Sequence, residues 1–417
     1  MQTMPYIKRS TCRLCDSRKL DNVISFPATP IGECYVNEQM LSETQDEFPL
    51  SLAFCESCGA FQLLDVVSPQ LLYGDYGNFK YETSISLGLP EHFESYAKEV
   101  VAFLKPKPGS LVLDIGSNDG TLLKSFQKLG LKVLGVDPAP EASRKANAAG
   151  VETMTDYFDG RLAEVIKEKY GVPAIIVSNN TIANIDDLSS FVKSVRSLMN
   201  DDAYFVFETG YIVDLVKKRL IDVIYHEHLS YFSVKTLKMF FEKHNMEMIH
   251  AKYIPTKGGS IRCMIQIKKG KRRADPSVAE MIGEEESWGV DKSKFYSDLN
   301  IFVKQNKADL LQKIKNIKAQ GKTISGYGAS VGVTTLIYHY GVGEYLDVLF
   351  DDNPIKHGLY SPGHHIPVVP SHEIYKRRPD YILCFAWRYK DAIRKKHQIF
   401  FENGGHFIVP LPEVEII

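Results

Sequence analysis

Leu111-Val112-Leu113-Asp114-Ile115-Gly116-Ser117-Asn118-Asp119-Gly120-Thr121-Leu122 is the stretch whose reading decides the fold. A short, bounded apolar run predicts a buried parallel strand, and Thr121 opens a helix. Between them Gly116, Asn118 and Gly120 form a G-x-N-x-G turn, and glycine there lets a ligand approach the backbone. The run Leu131-Lys132-Val133-Leu134-Gly135-Val136-Asp137 predicts a second strand ending in an acid, where a ribose diol is typically bound. Asp114 sits just before the glycines, where a phosphate would meet a negative charge and a ligand bearing an ammonium would be welcome. Together these features favour S-adenosylmethionine over a dinucleotide.

A third strand is expected over residues 174–184, ending in Asn179, Asn180 and Asn184, and a fourth over 203–209. In open α/β sheets the carboxyl ends of the strands bind ligands. These amides are expected at the ligand sites, Asn179 at the cofactor and Asn180 and Asn184 at the substrate. Next comes Tyr225-His226-Glu227-His228-Leu229-Ser230-Tyr231-Phe232-Ser233. Two imidazoles, a carboxylate and phenols so close together need partners if buried. A base flanked by a carboxylate and a phenol is also what proton abstraction requires. Which imidazole acts is open at this stage. Phe232, Leu237, Phe240 and Phe241 predict an apolar helix face and core.

The remaining sequence frames this unit. The 417 residues are 44% hydrophobic and 24% charged, with a formal net charge of -1. That balance advertises neither nucleic acid nor a membrane surface as partner. No run approaches the roughly 18 apolar residues of a membrane span, and the start carries no apolar leader, so a cytoplasmic protein is expected. Four of the seven cysteines fall in two C-x-x-C knuckles, Cys12/Cys15 and Cys55/Cys58. Two knuckles complete a closed tetrahedral zinc site, which holds a fold and does no chemistry. Near the other end, Gly326-Tyr327-Gly328-Ala329-Ser330 follows a strand, and Asp351-Asp352-Asn353-Pro354 closes the next. This second Rossmann-like unit has a glycine turn that would suit the diphosphate of a nucleotide-linked substrate at a helix N-terminus. The basic, Glu-rich residues 268–294 read as a solvated linker.

The whole chain resembles the S-adenosylmethionine-dependent sugar C-methyltransferases that act on nucleotide-linked keto-deoxysugars. The resemblance rests on the two C-x-x-C pairs, D-I-G-S-N-D-G, Y-H-E-H-L-S-Y-F-S, Gly258-Gly259-Ser260-Ile261-Arg262, G-Y-G-A-S and Asp351-Asp352-Asn353-Pro354, in that order. It implies methyl transfer to C3 of a 4-keto-6-deoxy sugar carried on thymidine or guanosine diphosphate. His228 would be the base, with Tyr225, Glu227 and Tyr81 around the sugar. Ser260, Arg262, Ser330 and Asp351 are expected at the substrate. Lys257 is also expected at the substrate, and two departures stand out: the family commonly has His where this chain has Asn184, and again at Lys257.

The expected architecture is α/β: an N-terminal zinc-binding lobe (1–70), a central Rossmann-like SAM methyltransferase domain (71–255) and a C-terminal Rossmann-like α/β domain (256–417). A monomer is expected. An O- or N-methyltransferase would explain the glycine loop equally well without needing so buttressed a base. A nicotinamide oxidoreductase would use the Gly326 turn, but the third glycine position holds Val331.

Overall fold

The computed structural model describes residues 5–73, 83–84 and 88–417. The expected α/β class holds, in three lobes.

In the first lobe, strand Leu20–Thr29 pairs antiparallel with Phe48–Cys55, which pairs in turn with Phe61–Leu63. Cys55 ends one strand and Cys58 lies in the turn to the next, so the second knuckle is a hairpin turn. Leu20 opposes Cys55 in register, which brings the first knuckle alongside the second. The free edge of Phe61–Leu63 is taken by Ser230–Tyr231, from the middle of the chain.

The central sheet has seven strands in the order Met246–Ile254, Ser260–Ile267, Tyr204–Gly210, Ile175–Asn179, Leu111–Ile115, Lys132–Val136 and Thr153–Met154. The last five are mutually parallel, and the first two form an antiparallel hairpin on their edge. The domain boundary expected at 255/256 therefore cuts a hairpin: Ser260–Ile267 belongs to the central sheet, between Met246–Ile254 and Tyr204–Gly210. Strand order reverses beside Leu111–Ile115, which puts the glycine turn at the topological switch point.

The third lobe has a six-stranded sheet in which Val368–Pro370, Leu349–Asp351, Ile324–Tyr327, Tyr381–Cys384 and His406–Val409 are parallel. The stretch expected to be a solvated linker instead contains helix Pro276–Trp288, capped by Asp275, with Glu285 buried. Glu285 accepts hydrogen bonds from the backbone N–H groups of Val234 (2.6 Å) and Lys235 (2.9 Å), at the start of helix Val234–Lys243. Its polar residues thus serve capping and packing.

Helix Ser293–Ala319 ties the lobes together. At 1.5 Å per residue such a helix is about 40 Å long. The Tyr296 ring stacks on Phe61 of the first lobe at 4.5 Å, and the Asn306 amide donates to the Pro410 carbonyl of the third. One apolar core runs from Leu52 and Phe61 through Phe207, Phe232 and Phe241 to Leu310 and Leu336. No helix among the described residues is long and apolar enough to cross a membrane.

Candidate active site

A cavity of about 540 Å³ opens at the carboxyl ends of the central strands, within the usual range for small-molecule sites. Asp114, Gly116, Asn118, Asp137 and Asn179 line one part of it; Asn180, Asn184, Tyr225, Glu227, His228 and Lys257 line another. The glycine turn and the Tyr225–His228 segment thus face one space.

The cofactor side is built by the turn. Asp137 accepts the Asn118 N–H (2.8 Å) and the Ala139 N–H (2.9 Å), which shapes the loop. Asn118 and Asp119 accept the N–H groups of Thr83 and Ser84, drawing that segment onto the loop. A Cβ on Gly116 would sit 2.3 Å from the Thr181 hydroxyl, at a positive φ of 82°, so no other residue fits there. Gly120 caps the following helix and Thr121 donates its hydroxyl to Asp119. These two shape the loop from behind and do not line the cavity. Asp114 is buried, and its Oδ1 has no hydrogen-bond partner among the described residues. Burial, with Asp137 beside it, holds its carboxyl well above the usual range. A buried carboxylate beside a second acid calls for a cationic partner. An amino acid sulfonium supplies that charge, so these residues fit S-adenosylmethionine.

The reactive side begins at the short helical turn Ile221–Val223. The two imidazoles have separate duties. His226 is buried and donates its Nε2–H toward the carbonyls of Phe48 and Pro49 at 3.2 Å each, fastening the first lobe. His228 lines the cavity. Its Nδ1–H donates to the Val223 carbonyl at 2.8 Å, and because a carbonyl can only accept, Nε2 carries the lone pair. Tyr225 OH lies 3.0 Å from that nitrogen. Burial, with Lys257 adding to it, pushes the His228 imidazole down to about 4, so it is neutral near pH 7.

Glu227 is buried with Oε2 unpartnered among the described residues. Burial pushes its carboxyl up to about 7; Glu33 adds to this and Lys356, ion-paired to Glu33, opposes it. A carboxyl whose pKa is raised on folding favours the folded state below the unfolded value near 4.5, and loses that benefit as pH rises through 7. Glu227→Gln is therefore expected to stabilise the protein at pH 8, by up to about 3 kcal/mol, and much less at pH 5. Thermal melts of both proteins at the two pH values check this; equal gains would show an unperturbed carboxyl.

Several expected substrate residues lie elsewhere. Arg262 opposes Glu208 across the sheet and donates to it from Nε (2.7 Å) and Nη2 (2.5 Å), while Nη1 reaches Glu99. It neutralises a buried acid inside the sheet and does not reach the cavity. Ser260 begins the same strand and donates to the Thr256 carbonyl. Ser330 is exposed at a helix start, although its neighbour Val331 lines the cavity. Asp351 accepts the N–H groups of Ala329 (2.6 Å) and Asn353 (2.7 Å), bracing the turn, and is not on the cavity wall. Asn184, by contrast, is on the cavity wall and donates to Tyr73 OH at 3.0 Å. Tyr81 lies outside the described residues. Glu33, Asp156, Tyr157 and Phe158 also line the cavity and were not foreseen. The last three follow Thr153–Met154, a strand too short to show a period, and Glu33 stands alone in a loop without a motif.

The sulfur atoms of Cys12, Cys15, Cys55 and Cys58 all lie within 4.8 Å of one another. Cys12–Cys58 and Cys15–Cys55 are each 3.6 Å apart. A tetrahedral zinc with Zn–S near 2.3 Å separates its sulfurs by about 3.8 Å, so the set fits that ion. Between the knuckle cysteines, Arg13 reaches Asp186 (2.9 Å) on the cavity wall and the carbonyls of Leu63 (2.5 Å) and Leu229 (3.1 Å). The zinc lobe thereby touches the residue next to His228.

Three family models match the chain: a zinc binding domain over residues 12–73, a methyltransferase domain over 91–251 and a C-methyltransferase C-terminal domain over 255–412. The chain is 31% identical over 407 residues to the C-methyltransferase NovU of Streptomyces niveus, spanning 97% of this chain and 96% of that protein. The ubiquinone biosynthesis O-methyltransferase of Azorhizobium caulinodans is 28% identical over 127 residues, 29% of this chain and 47% of that protein. Magnesium protoporphyrin IX methyltransferase from Synechocystis, solved with bound SAM, aligns at a TM-score of 0.32 and 15% identity over 42% of this chain and 79% of that one. With its zinc lobe, its S-adenosylmethionine-binding lobe and a relative matched from end to end, the chain belongs to the C-methyltransferase family.

Proposed function

We infer that the protein methylates C3 of a nucleotide-linked 4-keto-6-deoxy sugar through an enolate, with His228 as the base. The observation that carries this reading is that a neutral imidazole of fixed tautomer shares one cavity with the cofactor turn. A hydrogen on C3 is acidic because the adjacent C4 ketone stores the released electrons as an enolate. His228 Nε2 takes that proton, with Tyr225 shifting aside or passing it on. Tyr225, Asn180 and the Glu227 carboxyl are the donors available to the developing oxyanion. S-adenosylmethionine supplies a methyl group on a sulfonium. C3 then forms its bond to that carbon as the sulfur–carbon bond breaks, the proton having left on His228. Holding both reactants in one cavity supplies much of the rate. Among the described residues Lys257 is the one lysine or arginine on the cavity wall, and it is the cation proposed to meet the sugar's diphosphate.

Incubation with 13C-methyl-labelled S-adenosylmethionine and 4-keto-6-deoxy sugars on thymidine and guanosine diphosphate tests the reading. The expected product carries the label as an aliphatic methyl on C3. Label on oxygen or nitrogen would instead identify the O- or N-methyltransferase that the cofactor lobe serves equally well.

A further inference from the structure

The glycine turn of the third lobe leads into a helix whose start is packed against the chain's own backbone. Helix Val331–Tyr340 follows that turn, and its second residue is Gly332. A Cβ on Gly332 would lie 2.1 Å from the carbonyl oxygen of Asp222, so the turn containing Asp222 is seated directly on the helix start. From the other side, Gly32 packs as closely on Val331: a Cβ there would lie 2.7 Å from the Val331 carbonyl oxygen. Thr334 donates to the Gly32 carbonyl. Main chain from the first and second lobes thus packs against the helix start at Val331 and Gly332.

The Asp222 side chain is held as firmly as its backbone. Arg388, in the short helical turn Trp387–Tyr389 after strand Tyr381–Cys384, grips it with two prongs: Nη1–Oδ1 at 3.1 Å and Nη2–Oδ2 at 2.9 Å. The Asp222 carboxylate is 8% exposed, and burying a charge is tolerated only with such a partner. A two-pronged guanidinium also fixes direction, which a lysine ammonium does not. The residue after Asp222 is Val223, whose carbonyl accepts the His228 Nδ1–H. That carbonyl decides which imidazole nitrogen carries the hydrogen, and therefore which one is basic toward the cavity.

We propose that Arg388 and Asp222 are positioning residues for His228: the third lobe seats the turn Ile221–Val223 so that the Val223 carbonyl holds His228 in its Nδ1–H tautomer. The start of helix Val331–Tyr340 thus serves the reaction as a mould for the catalytic segment, and Arg388 acts on turnover without touching substrate.

The test is the tautomer itself, read from 15N-histidine-labelled full-length protein by long-range 1H–15N correlation, with His228 assigned by its loss in His228→Gln. Wild type is expected to show Nδ1 protonated and Nε2 bare. In Arg388→Gln the two nitrogen shifts are expected to converge, while S-adenosylhomocysteine still binds. Deuterium uptake into the keto sugars is expected to fall about 10- to 100-fold, as for the loss of an outer partner that orients a histidine. Arg388→Lys, which keeps the charge but loses the fork, is expected to recover part of both signals. Should Arg388→Gln fail to fold, Arg388→Lys and Gly332→Ala, which presses on Asp222 from the helix, decide the matter by the same spectrum. Unchanged His228 shifts in folded variants would overturn the proposal. The uptake measurement alone rests on the sugar reading: converging shifts without uptake on any keto sugar, wild type included, would refute the substrate and leave the positioning role standing.

Discussion

Replacing His228 with glutamine is expected to lower turnover by about 10²- to 10⁴-fold, the usual contribution of a positioned general base. Affinity for S-adenosylhomocysteine should be unchanged. The reasoning is geometric: Asp114, Asp137 and the glycine turn form the cofactor's part of the cavity without help from the imidazole. Glutamine keeps an amide near the Val223 carbonyl but cannot accept a proton at neutral pH. Calorimetric titration and initial rates on one preparation separate the two effects. His226→Gln is the contrasting control. Its ring fastens the carbonyls of Phe48 and Pro49, so it should cost stability before it costs chemistry. Full turnover in His228→Gln would remove His228 as the base.

Loss of the metal is expected to have the largest effect on the fold. Structural zinc contributes about 10–16 kcal/mol of apparent binding energy in isolated zinc-finger peptides. In this chain part of the first lobe is also held by apolar packing around Leu52 and Phe61, so the expected cost is several kcal/mol, short of complete unfolding. Four sulfurs this close cannot all ionise without a cation between them; the Cys58 thiol donating to Cys12 pushes the Cys12 thiol down to about 5, while Cys15 and Cys58 are raised. Elemental analysis should give one zinc per chain, and Cys55→Ser should be metal-poor and either insoluble or much less stable. Because Arg13 joins the knuckle to Leu229 and Asp186, soluble Cys55→Ser protein should also be a poorer catalyst. A fully stable, zinc-free variant would contradict a structural metal.

The fold class was legible because its signals are local. The strand, the turn at Gly116–Gly120 and the acid at Asp137 lie within one short stretch, and each C-x-x-C pair marks its own turn. Long-range pairing was not legible. Arg262 looked like a ligand-binding arginine, but its partner Glu208 is set by the register of two strands distant in sequence. The hairpin of Met246–Ile254 and Ser260–Ile267 was divided between domains because sequence order does not reveal which sheet a strand joins. Residues 268–294 read as a linker on charge alone; the buried Glu285 and the capping Asp275 gave no periodic signal. His226 and His228 are the same residue type two positions apart, and only their surroundings distinguish a fastening from a base. Asp222 and Arg388 stood in no motif, since their meaning depends on three lobes closing together.

The most direct test of the central claim is deuterium uptake at sugar C3. The full-length protein is incubated in deuterated water with 4-keto-6-deoxy sugars on thymidine and guanosine diphosphate, with S-adenosylhomocysteine in place of the methyl donor. Uptake at C3 that disappears in His228→Gln is the predicted result, and the nucleotide that supports it identifies the carrier. No uptake on any of these sugars by protein that binds S-adenosylhomocysteine would contradict the enolate mechanism.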